Sequence, residues 1–150
     1  MAYRLVPYVP AHLPELTDLW VEAWAKTMPA IDFEARRIWF VDHLSKLHAG
    51  GVEITCVFDA QNGVMAGFIT RDRATGHIDQ LAVASAYWGA GAAHALIVET
   101  KRAATRLHLD VNQDNARAIR FYEREGFRRT AAGINPGSGM KTWRCEWSAA

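Results

Sequence analysis

One loop constrains this chain more than any other feature. Trp88-Gly89-Ala90-Gly91-Ala92-Ala93 joins an apolar, strand-like run at residues 77–83 to a helical one at residues 92–104. The first N–H groups of a helix have no partner within it, and the aligned peptide dipoles add roughly half a positive charge at that end. Glycine keeps a Cβ out of the way, so a pyrophosphate reaches such backbone closely. A strand, a glycine loop and a helix start therefore predict a phosphate-bearing cofactor. Two other uses of such a loop fit poorly. A dinucleotide turn would use Gly89 and Gly91 with Asp110 about 20 residues on, but His94 stands at the third glycine position. That turn is also tight, whereas residues 84–88 intervene here, and no second nucleotide-binding half follows. A P-loop is excluded because no Gly-Lys-Ser/Thr follows the glycines.

The remaining pattern frames that loop. Residues 3–6 lean towards a strand, and Pro10 opens a helical stretch with Leu13, Leu16, Leu19, Trp20 and Trp24 at three- and four-residue spacing. Pro29 stops it; Asp32 can cap a second helix that carries Phe33, Ile38, Phe40, Val41 and Leu44 and ends at Gly50-Gly51. Runs at 53–58 and 64–70 flank Asn62-Gly63, a strong hairpin signal. After the loop come a helix at 92–104, a strand at 107–111, a helix at 115–125 closed by Gly126, and strands at 128–130 and 141–147. The order is β-α-α-β-β-β-α-β-α-β-β: one α/β domain over residues 1–150, with a mixed central sheet of about seven strands flanked by four helices. Half the residues are apolar, which suits one buried core at this length.

Charge and cysteine usage narrow the function. A net charge of +1 with no basic run argues against a nucleic-acid partner. No apolar stretch approaches the ~18 residues of a membrane span, and no leader-like segment opens the chain. Cys56 and Cys145 sit in apolar runs and read as buried, reduced thiols, so a cytoplasmic location is expected.

Leu81-x-Val83 followed by Trp88-Gly89-Ala90-Gly91-Ala92-Ala93 resembles the acetyl-coenzyme A motif of the GNAT N-acetyltransferases, usually written Q/R-x-x-G-x-G/A. Asn115-x-x-Ala118-x-x-x-Tyr122-Glu123-x-x-Gly126-Phe127 resembles that family's following segment. The two stand in the right order, and the element order matches over nearly the whole chain. The resemblance implies an acyltransferase that uses acetyl-coenzyme A and moves its acetyl group to a primary amine of a small molecule or peptide by direct aminolysis. A protein N-terminal or lysine acetylase is a second reading, and a coenzyme A-binding sensor without turnover a third. The loop departs from the pattern in lacking a cationic side chain, so the phosphate grip falls to backbone N–H groups.

The resemblance also implies roles. Leu81, Ala82 and Val83 would splay from the strand at 107–111, leaving a gap in which pantetheine pairs like an extra strand. An N–H near Val83 would bind the thioester oxygen. Trp88, Gly89, Ala90, Gly91, Ala92 and Ala93 would cradle the phosphates. Asn115 would hold the pantetheine arm or simply cap its helix. Tyr122 would donate to the departing sulfur, or be a core aromatic. With tyrosine near 10 and a thiol near 8.5, full proton transfer is uphill by about 2 kcal/mol, so a hydrogen bond that completes transfer late is the better description. Strand alternation would put His77, Asp79, Leu81 and Val83 on one face. Taking a proton from an ammonium near 10.4 costs about 9 kcal/mol for an ordinary Asp and about 5 for a His. His77 then suits deprotonation, and Asp79 suits orienting it or binding a cationic amine. The plain alternative is that Asp79 pairs with an arginine and His77 sits at a surface.

Other residues read as structure. Trp20 and Trp24 belong to the core; Trp143, Cys145 and Trp147 share a strand face; Arg117, Arg120 and Arg124 form a solvated stripe. The histidines lack ligand spacing, so no metal is assigned. The substrate wall, residues 27–33 and 134–140, carries no acidic stripe that would choose an acceptor. A homodimer is allowed by the sequence.

Overall fold

The computed structural model describes residues 2–150. Strand β1 (Tyr3–Pro7) leads to helices α1 (Leu13–Thr27) and α2 (Arg37–Ala49), then to strands β2 (Glu53–Asp59), β3 (Met65–Arg71) and β4 (Leu81–Val83). Helix α3 (Ala92–Arg102), strand β5 (Arg106–Asn112), helix α4 (Ala116–Arg124) and strands β6 (Arg128–Ile134) and β7 (Lys141–Ser148) complete the expected order.

Local chemistry accounts for the helix limits. Proline stands in the first turn of α1, where a missing N–H costs nothing. Its buried Leu16, Leu19, Trp20 and Ala23 repeat at helical spacing, and the helix closes at Met28 before Pro29. Asp32 accepts the Ala35 N–H at 3.1 Å in the turn before α2. Asn115 caps α4 through the Ala118 N–H at 3.2 Å. Gly126, at φ +91°, ends that helix, and the Phe127 N–H returns to the Tyr122 carbonyl at 2.9 Å.

The sheet is divided. Strands β1-β2-β3-β4 form one antiparallel sheet and β5-β7-β6 another. One parallel bridge, His77 to His108, joins them. There the His108 N–H donates to the Gly76 carbonyl at 3.0 Å and the Ile78 N–H to the His108 carbonyl at 2.8 Å. Gly76 has φ +79°, and a Cβ on it would lie 2.4 Å from the Arg106 carbonyl oxygen, so only glycine fits the joint. Beyond it β4 and β5 diverge.

Strand β3 is buried along its whole length. On one side Phe68 meets Leu16, Trp20, Phe40 and Leu44 of α1 and α2, with Trp20 stacked on Phe40 at 4.2 Å. On the other, Ile69 joins Leu96 and Ile97 of α3 with Leu107, Leu109, Tyr122 and Phe127. Cys56 and Cys145 are free and buried, and burial pushes the Cys56 thiol up to about 12.

Two expectations need correction. The strand expected over residues 77–83 is a ladder only at Leu81–Val83. Both the Asp79 and Gln80 N–H groups bond to Thr70 Oγ1 (3.1 and 2.9 Å), an irregularity that breaks strict alternation. The last hairpin is longer than expected, because β6 runs to Ile134 with every residue exposed.

Candidate active site

The divergence of β4 and β5 opens a cleft of about 370 Å³. Its first wall is backbone. The Thr70 N–H donates to Gln80 and the Ala84 N–H to Ala66, both at 2.9 Å, so even-numbered residues around β4 turn their peptides towards β3. Antiparallel alternation then turns those of Leu81 and Val83 into the cleft. The Val83 carbonyl accepts the Trp88 indole N–H at 2.8 Å; the Leu81 and Val83 N–H groups face the gap.

The wall continues into the glycine loop. Gly89 and Gly91 have φ of +73° and +91°, and Gly91 is the residue that opens α3. A Cβ at Gly89 would meet nothing within 4 Å, and one at Gly91 only a Tyr3 ring carbon at 3.9 Å. Both glycines border open space at a helix N-terminus. Side chains fix the loop from outside: the Tyr3 hydroxyl donates to the Ala90 carbonyl at 2.9 Å, and the Tyr87 hydroxyl to Asp59 at 2.8 Å. The Gln61 N–H and then the Tyr87 hydroxyl hold the Asp59 carboxyl below its usual range.

The opposite wall is made of side chains from α4. Asn115, Arg117, Ala118, Phe121, Tyr122 and Glu125 line the cleft. Tyr122 is buried as a residue and lines the cleft, and among the described residues no buried side-chain oxygen is left without a partner, so its hydroxyl, which makes no hydrogen bond within the protein, is open to the cleft. Burial raises its pKa, the nearby Cys145 adds to that, and Arg117 opposes it weakly. The group is therefore neutral and free to donate. Arg117 lies over the Trp88 ring at 3.8 Å and so spans the two walls. His94 Nδ1 and Glu125 Oε1, 2.8 Å apart, close the end beside α3.

Most of the expected site comes together. Leu81, Ala82, Val83, Trp88, Gly89, Gly91, Ala92, Ala93, Asn115 and Tyr122 line one cleft. Ala90 does not, and serves the loop through its backbone. His77 and Asp79 do not reach the cleft lining. The His77 ring stacks on His108 with centroids 5.0 Å apart. Asp79 accepts from Gln80 Nε2 at 2.9 Å and pairs with His43 Nε2 at 2.7 Å, a histidine of α2 rather than His77. The single face expected for His77, Asp79, Leu81 and Val83 is lost at the irregular pairing with Thr70.

Of the three arginines expected to form a solvated stripe, Arg117 and Arg124 border the cleft and Arg120 does not. Helical spacing from Tyr122 carries the missing signal, since residues 117, 118, 121, 122 and 125 share one face of α4. Among the described residues no three His, Cys, Asp or Glu side chains gather to hold a metal ion. A second cavity of about 380 Å³ adjoins the cleft and shares Thr27 and Asn115 with it.

An acetyl-coenzyme A molecule fits this donor set: outward N–H groups of a strand for its amides, and glycine-bordered helix N–H groups for its phosphates. Fold and cleft together define an acetyltransferase-type domain. The model of the acetyltransferase (GNAT) family matches residues 13–127, and the chain belongs to that family. No curated protein matches it in sequence. Its fold is similar to the solution structure of apo YjaB from Escherichia coli, with a TM-score of 0.78, 19% identity and 100% of each chain covered. It is also similar to a GCN5-related N-acetyltransferase from Rhodopseudomonas palustris (TM-score 0.77, 20% identity, 99% and 97% covered). A third is the PaiA N-acetyltransferase of Thermoplasma acidophilum, solved in complex with coenzyme A (TM-score 0.76, 16% identity, 99% and 100% covered). Among the described residues no helix is long and apolar enough to cross a membrane.

Proposed function

We propose that this protein is an acetyl-coenzyme A-dependent N-acetyltransferase that acylates a primary amine by direct aminolysis. The observation that carries the reading is one continuous surface of unpaired backbone donors, from Leu81 and Val83 to the glycine-bordered start of α3. When bound, acetyl-coenzyme A supplies an acyl group activated as a thioester. The Gly89–Ala93 backbone holds its phosphates, and the Asn115 amide, whose Oδ1 already caps α4, offers Nδ2 to the pantetheine arm. The Val83 N–H polarises the reacting carbonyl, an electrostatic aid that grows as negative charge collects on oxygen. A nitrogen–carbon bond forms and the carbon–sulfur bond breaks. The ammonium loses one proton to solvent before it attacks and the nitrogen a second one after; the Tyr122 hydroxyl hydrogen-bonds the departing sulfur, passes it a proton late and is reprotonated from solvent, so coenzyme A leaves as a thiol. The two buried, free cysteines suit a reducing compartment such as the cytoplasm.

Thermal melting tests the binding half. At 100 times its dissociation constant, acetyl-coenzyme A stabilises the fold by ~2.7 kcal/mol. At this chain length that raises the melting temperature by about 5–10 °C. NAD leaves it unchanged. Stabilisation by NAD and not by acetyl-coenzyme A would overturn the assignment.

A further inference from the structure

We infer that Glu22, a residue of α1 outside the cleft lining, is a positioning residue of the transfer reaction, setting the Val83 N–H against the thioester oxygen through Ser85. This rests on the acetyltransferase reading above. Strand β4 is only three residues long, and Val83 is its last. The chain then makes one short turn, Ser85–Tyr87, before the glycine loop. Ala84, the residue before that turn, makes no side-chain cap, so the first N–H of the turn is left to an outside acceptor.

That acceptor is Glu22. The Ser85 N–H donates to Glu22 Oε1 at 2.9 Å and the Ser85 hydroxyl to Oε2 at 2.5 Å. One residue of the turn thus takes both oxygens of the carboxylate, in bonds of the strong, charge-assisted kind. Lys26, 3.8 Å from Oε2, is an exposed neighbour on the same helix and adds little. From Ser85 the contacts return to the strand. Its carbonyl accepts the Trp88 N–H at 3.2 Å, and the Trp88 indole N–H donates to the Val83 carbonyl at 2.8 Å. The bonds from Tyr3 and to Asp59 hold the far part of the loop from β1 and β2. Glu22 holds the near part from α1, whose Ala23, Trp24 and Thr27 line the cleft. One side chain therefore fixes the end of β4 relative to α1. A displacement of the Val83 N–H by ~1 Å is enough to weaken its hold on the reacting carbonyl. Glu22 acts through Ser85 and not on substrate, because it lies outside the lining and both its oxygens are engaged.

Amide spectra of the full, isotope-labelled chain test this without an acceptor. Acetyl-coenzyme A and coenzyme A differ only at the thioester, so a difference between the two bound spectra at the Val83 amide reports the contact with its oxygen. The wild type should show that difference. Glu22→Ala should lose it, while the Gly89 and Gly91 amides still respond to both ligands and coenzyme A affinity stays within about threefold of wild type. Glu22→Gln should keep it, because the amide can accept from the Ser85 N–H and donate to the Ser85 oxygen. Ser85→Ala deletes one of the two bonds and should reduce it, which carries the test if circular dichroism shows Glu22→Ala unfolded. A fall in melting temperature with the Val83 difference unchanged, in Glu22→Ala or in Ser85→Ala, would make the contact a plain brace and overturn the inference. Loss of the difference in Glu22→Gln, or its absence from the wild type, would overturn it too. Calorimetry with coenzyme A separates the two levels. If coenzyme A does not bind the wild type, the acetyltransferase reading falls; if it binds and the Val83 results fail, only the role of Glu22 falls.

Discussion

One wall of the cleft, β4 with the glycine loop and α3, presents peptide groups, while the other, α4 and its N-cap, presents Asn115, Arg117 and Tyr122. The first holds its shape through backbone torsions: Gly89 and Gly91 both occupy the left-handed region, and Tyr3 and Tyr87 brace the loop from behind. The second keeps its shape through packing, with Tyr122 set edge-on against Phe121 and Phe127. Damage to the first wall should therefore appear in cofactor affinity, because a side chain there both strains the backbone and occupies the ligand's approach. Damage to the second should appear in turnover, because a side-chain atom can be deleted without moving the backbone.

The largest expected effect is at Gly91. A β-branched residue at φ +91° is strained wherever it is placed, and its side chain would enter the space at the start of α3. If Gly91→Val costs two charge-assisted backbone bonds to phosphate at roughly 1.5–3 kcal/mol each, affinity falls on the order of 1,000-fold. Calorimetry with acetyl-coenzyme A, beside circular dichroism to verify the fold, checks this. Native affinity in a folded variant would break the backbone account of the first wall.

Tyr122→Phe is the matching cut on the second wall. It keeps the ring against Phe121 and Phe127 and removes one oxygen at the cleft lining. Turnover should fall on the order of 100-fold with cofactor affinity little changed, since in the proposed mechanism the hydroxyl acts only as charge builds on sulfur. The direction of its pKa sharpens the forecast. Burial raises the group above its ordinary value near 10, so it stays protonated across neutral and mildly alkaline pH. The wild-type rate should accordingly show no tyrosine-type fall below about pH 10. Unchanged turnover, measured on the same preparation as affinity, would make Tyr122 a core aromatic and nothing more.

The backbone wall was the more legible one in the sequence. Two glycines at a strand-to-helix junction admit few conformations, so Gly89, Gly91 and the start of α3 could be placed by local rules. Asn115 and Tyr122 were legible through their helix, and the same helical spacing also marks Arg117, which instead read as part of a charged surface. What local rules could not supply was the pairing between β3 and β4. The Thr70 hydroxyl takes two successive N–H groups, from Asp79 and Gln80, and that tertiary hydrogen bonding shifts which side chains face α2 and which face the cleft.

The smallest effects should lie outside both walls, at His77 and Asp79. A base must reach the amine directly or through one water, and neither residue borders the cleft or the adjoining cavity. His77 is occupied with the joint between the sheets, against His108, whose pKa is lowered first by burial and then by the charges of Arg144 and His77. Asp79 is held in a chain that runs from His43 through its own carboxylate to Gln80 and on to the Trp20 indole, whose N–H donates to Gln80 at 3.2 Å. Such a chain ties α1 and α2 to the start of β4, so its loss should register as stability. His77→Gln and Asp79→Asn are expected to leave kcat and the acidic limb of the pH–rate profile within about threefold of wild type. Asp79→Asn should also lower the melting temperature by a few degrees, on the order of 1 kcal/mol for one half-buried polar link. A rate loss on the order of 100-fold in either variant, with the acidic limb displaced, would show that the α2 side of β4 takes part in moving the amine proton. The contrast between a binding wall and a reacting wall would then need a third surface.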